Sequence, residues 1–182
     1  MVFVETKLKG VYIIEPEPID DERGFFARTF CQDEFSVHGL NPRVVQCSIS
    51  FNKKKGTLRG LHYQLPPRTE AKLVRCTRGA IFDVAVDVRA ASPTFKQWVG
   101  MELTAENRRM SYLPEGTAHG FQTLVDGAEV TYHISESYDA SLARGLRWDD
   151  PAIGINWPAV ETRTISAKDL NYPDFSEFMV KW

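Results

Sequence analysis

The chain has 182 residues, 43 % hydrophobic and 25 % charged, with a formal net charge of -2, a balance that fits one ordinary globular domain and leaves no electrostatic footprint for nucleic acid or an acidic membrane. No apolar leader and no apolar run of about eighteen residues occurs, so neither a signal peptide nor a membrane span is expected and the cytoplasm is the expected compartment. Cys31, Cys47 and Cys76 are isolated, odd in number and without C-x-x-C spacing, which argues against a disulfide framework and a thiolate zinc site; they read as packing residues in a reducing compartment.

In chain order, residues 10–15 read as a strand, Asp20 to Gly24 as a turn and 25–30 as a returning strand. A short peripheral helix is expected over 32–38, closed by Gly39 with Pro42 beyond it. Strand-length runs then alternate with turn signals: 44–51, 57–64, 72–77, 80–88, 97–103, 110–113, 120–125 and 129–136. In AIFDVAVDV, Phe82, Val84, Val86 and Val88 share one face and Asp83, Ala85 and Asp87 the other, so one face is core and the other meets water or a polar interior. The dipeptide Asp126-Gly127 is a hairpin signal between the last two strands. Near the end, 166–170 hints at a helix with Ser166 as N-cap. Many short strands at this spacing predict an all-β jelly-roll barrel or sandwich with few helices. No linker or repeat divides it, so the expectation is a single domain over 1–182, with its core at about 10–160 and 161–182 packing on the barrel. Eleven Phe, six Tyr and four Trp are a heavy aromatic load, most of it expected between the sheets.

The stretch GTLRGLHYQLPPRTEAKLVRC at 56–76 gathers Arg59, His62 and Lys72 around a Pro-Pro turn and suggests a pocket for an anion. Further on, Pro114 to His119 has the P-x-G-x-x-H spacing of the second half of the cupin metal motif. Where the first half would supply H-x-H and a carboxylate, this chain reads His62-Tyr63-Gln64 and Lys72. One imidazole is missing and a cation stands near a carboxylate position, which disfavours a metal ion; no metal or other cofactor is expected. Such a site suits proton abstraction beside a carbonyl, with His62 as base and Lys72 as partner of the enolate oxygen. Composition alone favours His62 as a hydrogen-bonded core histidine, and leaves His119 as a ligand, a polarising group or a structural imidazole.

The blocks RGLHYQ at 59–64, KLVRCTRGAIFDVAVDVR at 72–89, SPTF at 92–95, PEGTAHGF at 114–121, RWDDPAIGINWP at 147–158 and SAKD at 166–169 resemble the dTDP-4-dehydrorhamnose 3,5-epimerase family over about 10–173. The resemblance implies a metal-free cupin acting on a nucleotide-linked 4-keto-6-deoxy sugar. It implies His62 as the base with Asp169 as its partner, Tyr132 as the acid on the opposite face and Lys72 at the enolate. Arg23 and Arg59 match substrate-contacting positions suited to a pyrophosphate. Gln46, Ser48, His119 and Lys168 match further contact positions, and Tyr138 an aromatic that stacks on the base. The family also implies a homodimer with exchanged N-terminal strands, which would put Arg23 in the neighbour's pocket. The chain departs from the pattern at Arg28 and Ala143, where the family has Glu, and at Ser48, where it has Asn. Those departures bear on which sugar is bound and on whether one centre or two is inverted. A single-centre epimerase or a ketoisomerase is therefore the alternative enzyme. A non-catalytic sugar-nucleotide binding module and a metal-dependent oxygenase are the alternatives of other classes.

Overall fold

The computed structural model describes residues 1–175, and among these are fourteen strands and two short helices. In chain order they are β1 Val2–Glu5, β2 Tyr12–Glu15, β3 Ile19–Asp21, β4 Gly24–Phe26, α1 Gln32–Val37, β5 Gln46–Asn52, β6 Thr57–Gln64, β7 Lys72–Arg78, β8 Ala80–Asp87, β9 Trp98–Thr104, β10 Met110–Leu113, β11 Thr117–Thr123, β12 Ala128–Ile134, β13 Ala143–Gly145, β14 Thr164–Ile165 and α2 Ala167–Leu170. One sheet runs β1-β2-β10-β7-β12-β5 and the other β13-β6-β11-β8-β9, with β14 added in parallel to β6. From β5 to β12 the chain crosses repeatedly between the two sheets, giving facing quartets β5-β12-β7-β10 and β6-β11-β8-β9. That is jelly-roll connectivity, as the turn spacing predicts. No described helix is long and apolar enough to cross a membrane.

Both faces of the β6-β11-β8-β9 sheet are covered. Ile81, Ala85, Leu103 and Phe121 point between the sheets, where they meet Val74, Cys76 and Val130. Val84, Val86 and Val88 point outward under Leu146, Ile153 and Trp157 from the segment after β13. The alternation in β8 thus separates two apolar layers, and Asp83 faces the polar interior. On the other sheet α1 lays Phe35 over the outer surface, against Ile14, Leu73 and Tyr112.

Several expectations change. Most aromatics do not lie between the sheets: Phe3, Phe30, Phe35 and Tyr112 pack outside one sheet, and Tyr63, Phe82, Phe95, Trp98 and Trp157 outside the other. The interior is too rich in polar groups to house them. The strand expected to return over 25–30 stops at Phe26 and pairs with β3, while β2 pairs with the unforeseen β1 and with β10. Asp126-Gly127 makes a tight turn, but it is not a hairpin, because β11 and β12 belong to different sheets. The strand expected from Gly120 begins at Thr117, so the PEGTAHGF block is itself in the ladder. Cys76 is buried, as a packing residue should be, whereas Cys47 is exposed. In the expected C-terminal segment 161–182, β14 and α2 dock on β6, and residues 176–182 lie outside the described residues.

One local irregularity sets the site. On β6 and β11, His119 stands opposite His62 and Phe121 opposite Arg59. Gly60 and Leu61 therefore face Gly120 alone, which is a bulge of two residues against one. The extra residue reverses the alternation, so Arg59 and His62 share the inner face although they are three apart. Gly60 has φ +119, and a Cβ there would lie 2.5 Å from the Gly120 Cα and 2.7 Å from the His119 carbonyl oxygen. Both neighbours are backbone and cannot step aside. Gly60→Ala should therefore lower the unfolding free energy by about 2–4 kcal/mol, as measured by urea denaturation; a change below about 0.5 kcal/mol would contradict this account of the bulge.

Candidate active site

The inner face can be read off the ladder register. Tyr132 on β12 stands between Ser48 of β5 and Val74 of β7, and Ile134 stands between Gln46 and Lys72. Gln46, Ser48, Ser50, Lys72 and Tyr132 thus point inward from one sheet, towards Arg59, His62, His119 and Phe121 on the other. Between them opens a cleft of about 700 Å³, which these residues line together with Tyr138, Lys168, Asp169 and Tyr172. It has the size and mixed lining of a small-molecule site.

His62 sits in this cleft with Nε2 2.8 Å from Asp169 Oδ1. Asp169 comes from α2, whose first turn is capped by Ser166 Oγ accepting from the Asp169 N–H at 3.1 Å. Its second oxygen accepts the Gly60 N–H at 3.2 Å. Burial pushes the Asp169 carboxyl up, but the bond and charge of His62 and the Gly60 N–H outweigh it, and the net position is below the usual carboxylate range. The carboxylate stays ionised and orients the imidazole. The His62 side chain is 42 % exposed, open to a ligand, while Asp169 is 6 % exposed behind it.

Tyr132 faces His62 from the opposite sheet. Its hydroxyl is 3.5 Å from Ser50 Oγ, and its ring stands edge-on to His119 at 6.0 Å. Burial drives the phenol well above its ordinary pKa, Ser50 and Arg59 pulling the other way, so the group holds its proton at neutral pH. Lys72 Nζ pairs with Glu70 Oε1 at 2.8 Å and donates to the His62 carbonyl at 3.3 Å. His119 Nε2 lies 2.7 Å from Asp83 Oδ1, and Asp83 also accepts from Ser111 Oγ at 2.6 Å. Arg59 Nε donates to Asn52 Oδ1 at 2.8 Å, leaving its terminal nitrogens for the cleft.

Of the residues proposed from sequence, His62, Tyr132, Asp169, Lys72, Gln46, Ser48, Arg59, His119, Tyr138 and Lys168 all line this cleft. Arg23 does not: it lies on the β3–β4 turn, its side chain 84 % exposed and paired with Asp21. Arg28 is likewise outside the cleft, paired with Glu34 at 2.9 Å, whereas Ala143 is part of the lining. Cys47 sits on the face of β5 opposite Gln46 and Ser48. Gln64 directs its amide to the Arg68 and Ser137 carbonyls and accepts from the Asp139 N–H, bracing the loops beside the cleft. Sequence reasoning missed Glu70 and Tyr172. Glu70 could have been suspected from its i, i+2 relation to Lys72, since such residues share a side in extended chain. Nothing local marks Tyr172, whose ring stacks on the Cβ-less face of Gly145 and lies 5.9 Å from the His62 ring.

A family model described as dTDP-4-dehydrorhamnose 3,5-epimerase matches residues 5–177. The chain is similar to a dTDP-4-dehydrorhamnose 3,5-epimerase of Sinorhizobium fredii, 44 % identical over 182 residues and covering 100 % of this chain and 93 % of the relative. Among solved structures it is similar to the Elizabethkingia anophelis dTDP-4-dehydrorhamnose 3,5-epimerase, with TM-score 0.93, 41 % identity and 96 % of each chain covered. It is also similar to the Legionella pneumophila dTDP-6-deoxy-D-glucose-3,5-epimerase solved in complex with dTDP-4-keto-L-rhamnose, with TM-score 0.86, 41 % identity and coverage of 92 % of this chain and 89 % of that one.

Because the Asp169 carboxyl is held below its ordinary range in the folded chain, its contribution to stability is present above the unfolded value of about 4 and is lost as pH falls through that value towards the folded one. Wild type should accordingly lose more unfolding free energy than Asp169→Asn between about pH 5 and pH 2. Parallel urea-denaturation profiles for the two proteins over that range would contradict the His62–Asp169 pairing.

Proposed function

The chain belongs to the dTDP-4-dehydrorhamnose 3,5-epimerase family and is an isomerase acting on nucleotide-linked sugars; from that premise we propose that it inverts C3 and C5 of a dTDP-4-keto-6-deoxyhexose through His62, Lys72 and Tyr132. The observation that carries this reading is His62 on one sheet, 2.8 Å from Asp169 of α2, with a partly buried Tyr132, whose phenol desolvation pushes up, across the cleft on the other sheet.

Inversion needs a base on one face of the sugar and an acid on the other. His62 takes the proton from the ring carbon beside the 4-keto group, and the C–H electron pair moves into the ring C–C bond as the carbonyl oxygen becomes an enolate. Asp169 stabilises the imidazolium that forms. The Lys72 ammonium lies against the developing oxyanion, a fixed charge in a partly closed cleft. Tyr132 then delivers its proton to the opposite face of the carbon. Burial disfavours the phenolate left behind, and Ser50 and Arg59 are the groups that offset that cost until solvent restores the proton. His119, fixed by Asp83, adds a polar contact to the sugar. Arg59, Gln46, Ser48 and Lys168 suit the diphosphate and sugar hydroxyls, and Tyr138, 59 % exposed at the rim, suits stacking on the base.

A second copy of the chain completes the proposed assembly. The β3–β4 hairpin exposes Ile19 at 71 % and Phe26 at 73 %, and the outer face of β5 exposes Ile49 at 63 % and Phe51 at 49 %. Beside Cys47 in the ladder, His133 Nδ1 is buried without a hydrogen-bond partner, as is Arg75 Nε one strand further in, across Thr131 from Ile49. Exposed apolar residues grouped in this way suit a protein partner. An exchanged hairpin would bring Arg23 of one copy to the other's cleft, and light scattering should give twice the chain mass.

Incubation with the 4-keto substrate in deuterated water tests the chemistry. Two incorporated deuterons are expected; one would mean a single-centre epimerase, and none would remove the proposal. His62→Ala should lower exchange by about 10²-fold or more, and survival within about tenfold would take the base role from His62. Tyr132→Phe should lose inversion more than first-proton exchange, and an unchanged epimerisation rate would remove Tyr132 from the mechanism.

A further inference from the structure

Lysine is a flexible chain ending in a compact, rotatable charge. At the first residue of β7 that freedom has been removed. Lys72 Nζ lies 2.8 Å from Glu70 Oε1 and 3.3 Å from the His62 carbonyl oxygen, and the side chains of Lys72 and Glu70 are each 10 % exposed. An ammonium carries three N–H donors, so two are committed and one is left for the cleft. The residue between the pair is clamped as well: the Ala71 N–H donates to Ser135 Oγ at 2.7 Å, and the Ser135 N–H donates to the Ala71 carbonyl at 3.0 Å. Glu70 is therefore held by backbone, not merely near Lys72 by chance.

A nearly buried carboxylate beside a catalytic cation has two opposed effects. Its charge weakens the field of the ammonium at the developing oxyanion. Its geometry fixes the ammonium before the reaction begins, so no reorganisation is needed at the transition state. We propose that Glu70 is a positioning residue for the epimerisation: it acts through Lys72, aiming the remaining N–H at the oxygen where the enolate charge develops. Geometry outweighs charge here because the other hold on the ammonium, the His62 carbonyl at 3.3 Å, is longer than the Glu70 contact at 2.8 Å and uncharged. The inference rests on the assignment of Lys72 to the enolate.

The test compares Glu70→Ala, Glu70→Gln, Glu70→Asp and Lys72→Ala, alone and with Glu70→Ala added to Lys72→Ala, by kcat, KM and ring-proton exchange into deuterated water. Glu70→Ala should lower kcat by about 10–100-fold with KM moving less than about threefold, the signature of a misplaced group felt in the transition state. Glu70→Gln keeps an acceptor oxygen at the same reach and should return kcat to within about fivefold of wild type, whereas Glu70→Asp keeps the charge, withdraws the oxygen by one methylene and should remain impaired. In the Lys72→Ala background, loss of Glu70 should cost less than about twofold further, because its target is gone. Unchanged kcat in Glu70→Ala, a Gln variant no better than the Asp variant, or a full extra penalty on Lys72→Ala would each overturn the inference. Unchanged kcat in Lys72→Ala alone would instead show that the enolate assignment beneath it is wrong. Should Glu70→Ala fail to fold, the contrast between Gln and Asp decides by itself.

Discussion

The site depends on one hydrogen-bonded corner. At the bulge in β6 the Gly60 N–H faces Asp169 and donates to it at 3.2 Å. The same carboxylate holds His62 at 2.8 Å through its other oxygen. One extra residue thus turns His62 into the cleft and frees the donor that fixes its partner. An ordinary ladder would have put Arg59 and His62 on opposite faces and spent that N–H on a neighbouring strand. Only glycine fits, because the backbone of β11 occupies the space of a Cβ.

Around this corner the interior resolves into paired charges. His62 with Asp169, His119 with Asp83 and Lys72 with Glu70 each set a cation or imidazole against a carboxylate. Burying any of these carboxylates alone would cost several kcal/mol, and the pairing offsets that cost while fixing each cationic group in one pose. Apolar packing is displaced accordingly. Large aromatics occupy the outer faces of both sheets, beneath α1 and beneath the segment around Trp157. Apolar layers outside both sheets thus add to the layer between them, and the charged pairs share the interior with residues such as Ile81, Leu103 and Val130.

Much of this was legible in the residues. The period-two pattern of AIFDVAVDV placed Asp83 on a polar face, and the structure identifies that face as the barrel interior. Ser166 capped the expected helix, and β6 and β10 appear with the boundaries read from the sequence. Local patterns could not reach further. Asp126-Gly127 encodes a tight turn but not which sheet receives the next strand, since that is settled by long-range pairing. The bulge carries no sign beyond a glycine in a strand. Residue types near His62 could not separate base from core histidine; the resemblance implies a base partnered by Asp169, and the structure puts the two side chains 2.8 Å apart at the cleft. Arg23 illustrates a different limit: matching a motif position does not bring a residue to the cleft, and here its side chain stands exposed on the β3–β4 turn, paired with Asp21.

The parallel pairing of β14 with β6, beside the cap at Ser166, has a consequence for when the protein becomes competent. All jelly-roll strands from β5 to β12 precede residue 135, so the barrel can close before the segment that carries Asp169 arrives. During synthesis from the N-terminus, the folded barrel would present its imidazole without the carboxylate that orients it. Assembly of the fold and assembly of the His62–Asp169 pair are then separate events in time. A cut just after Pro158 would keep the Leu146, Ile153 and Trp157 cover on the outer face and remove the segment that carries Asp169, so the integrity of the barrel and that of the His62–Asp169 pair can be separated.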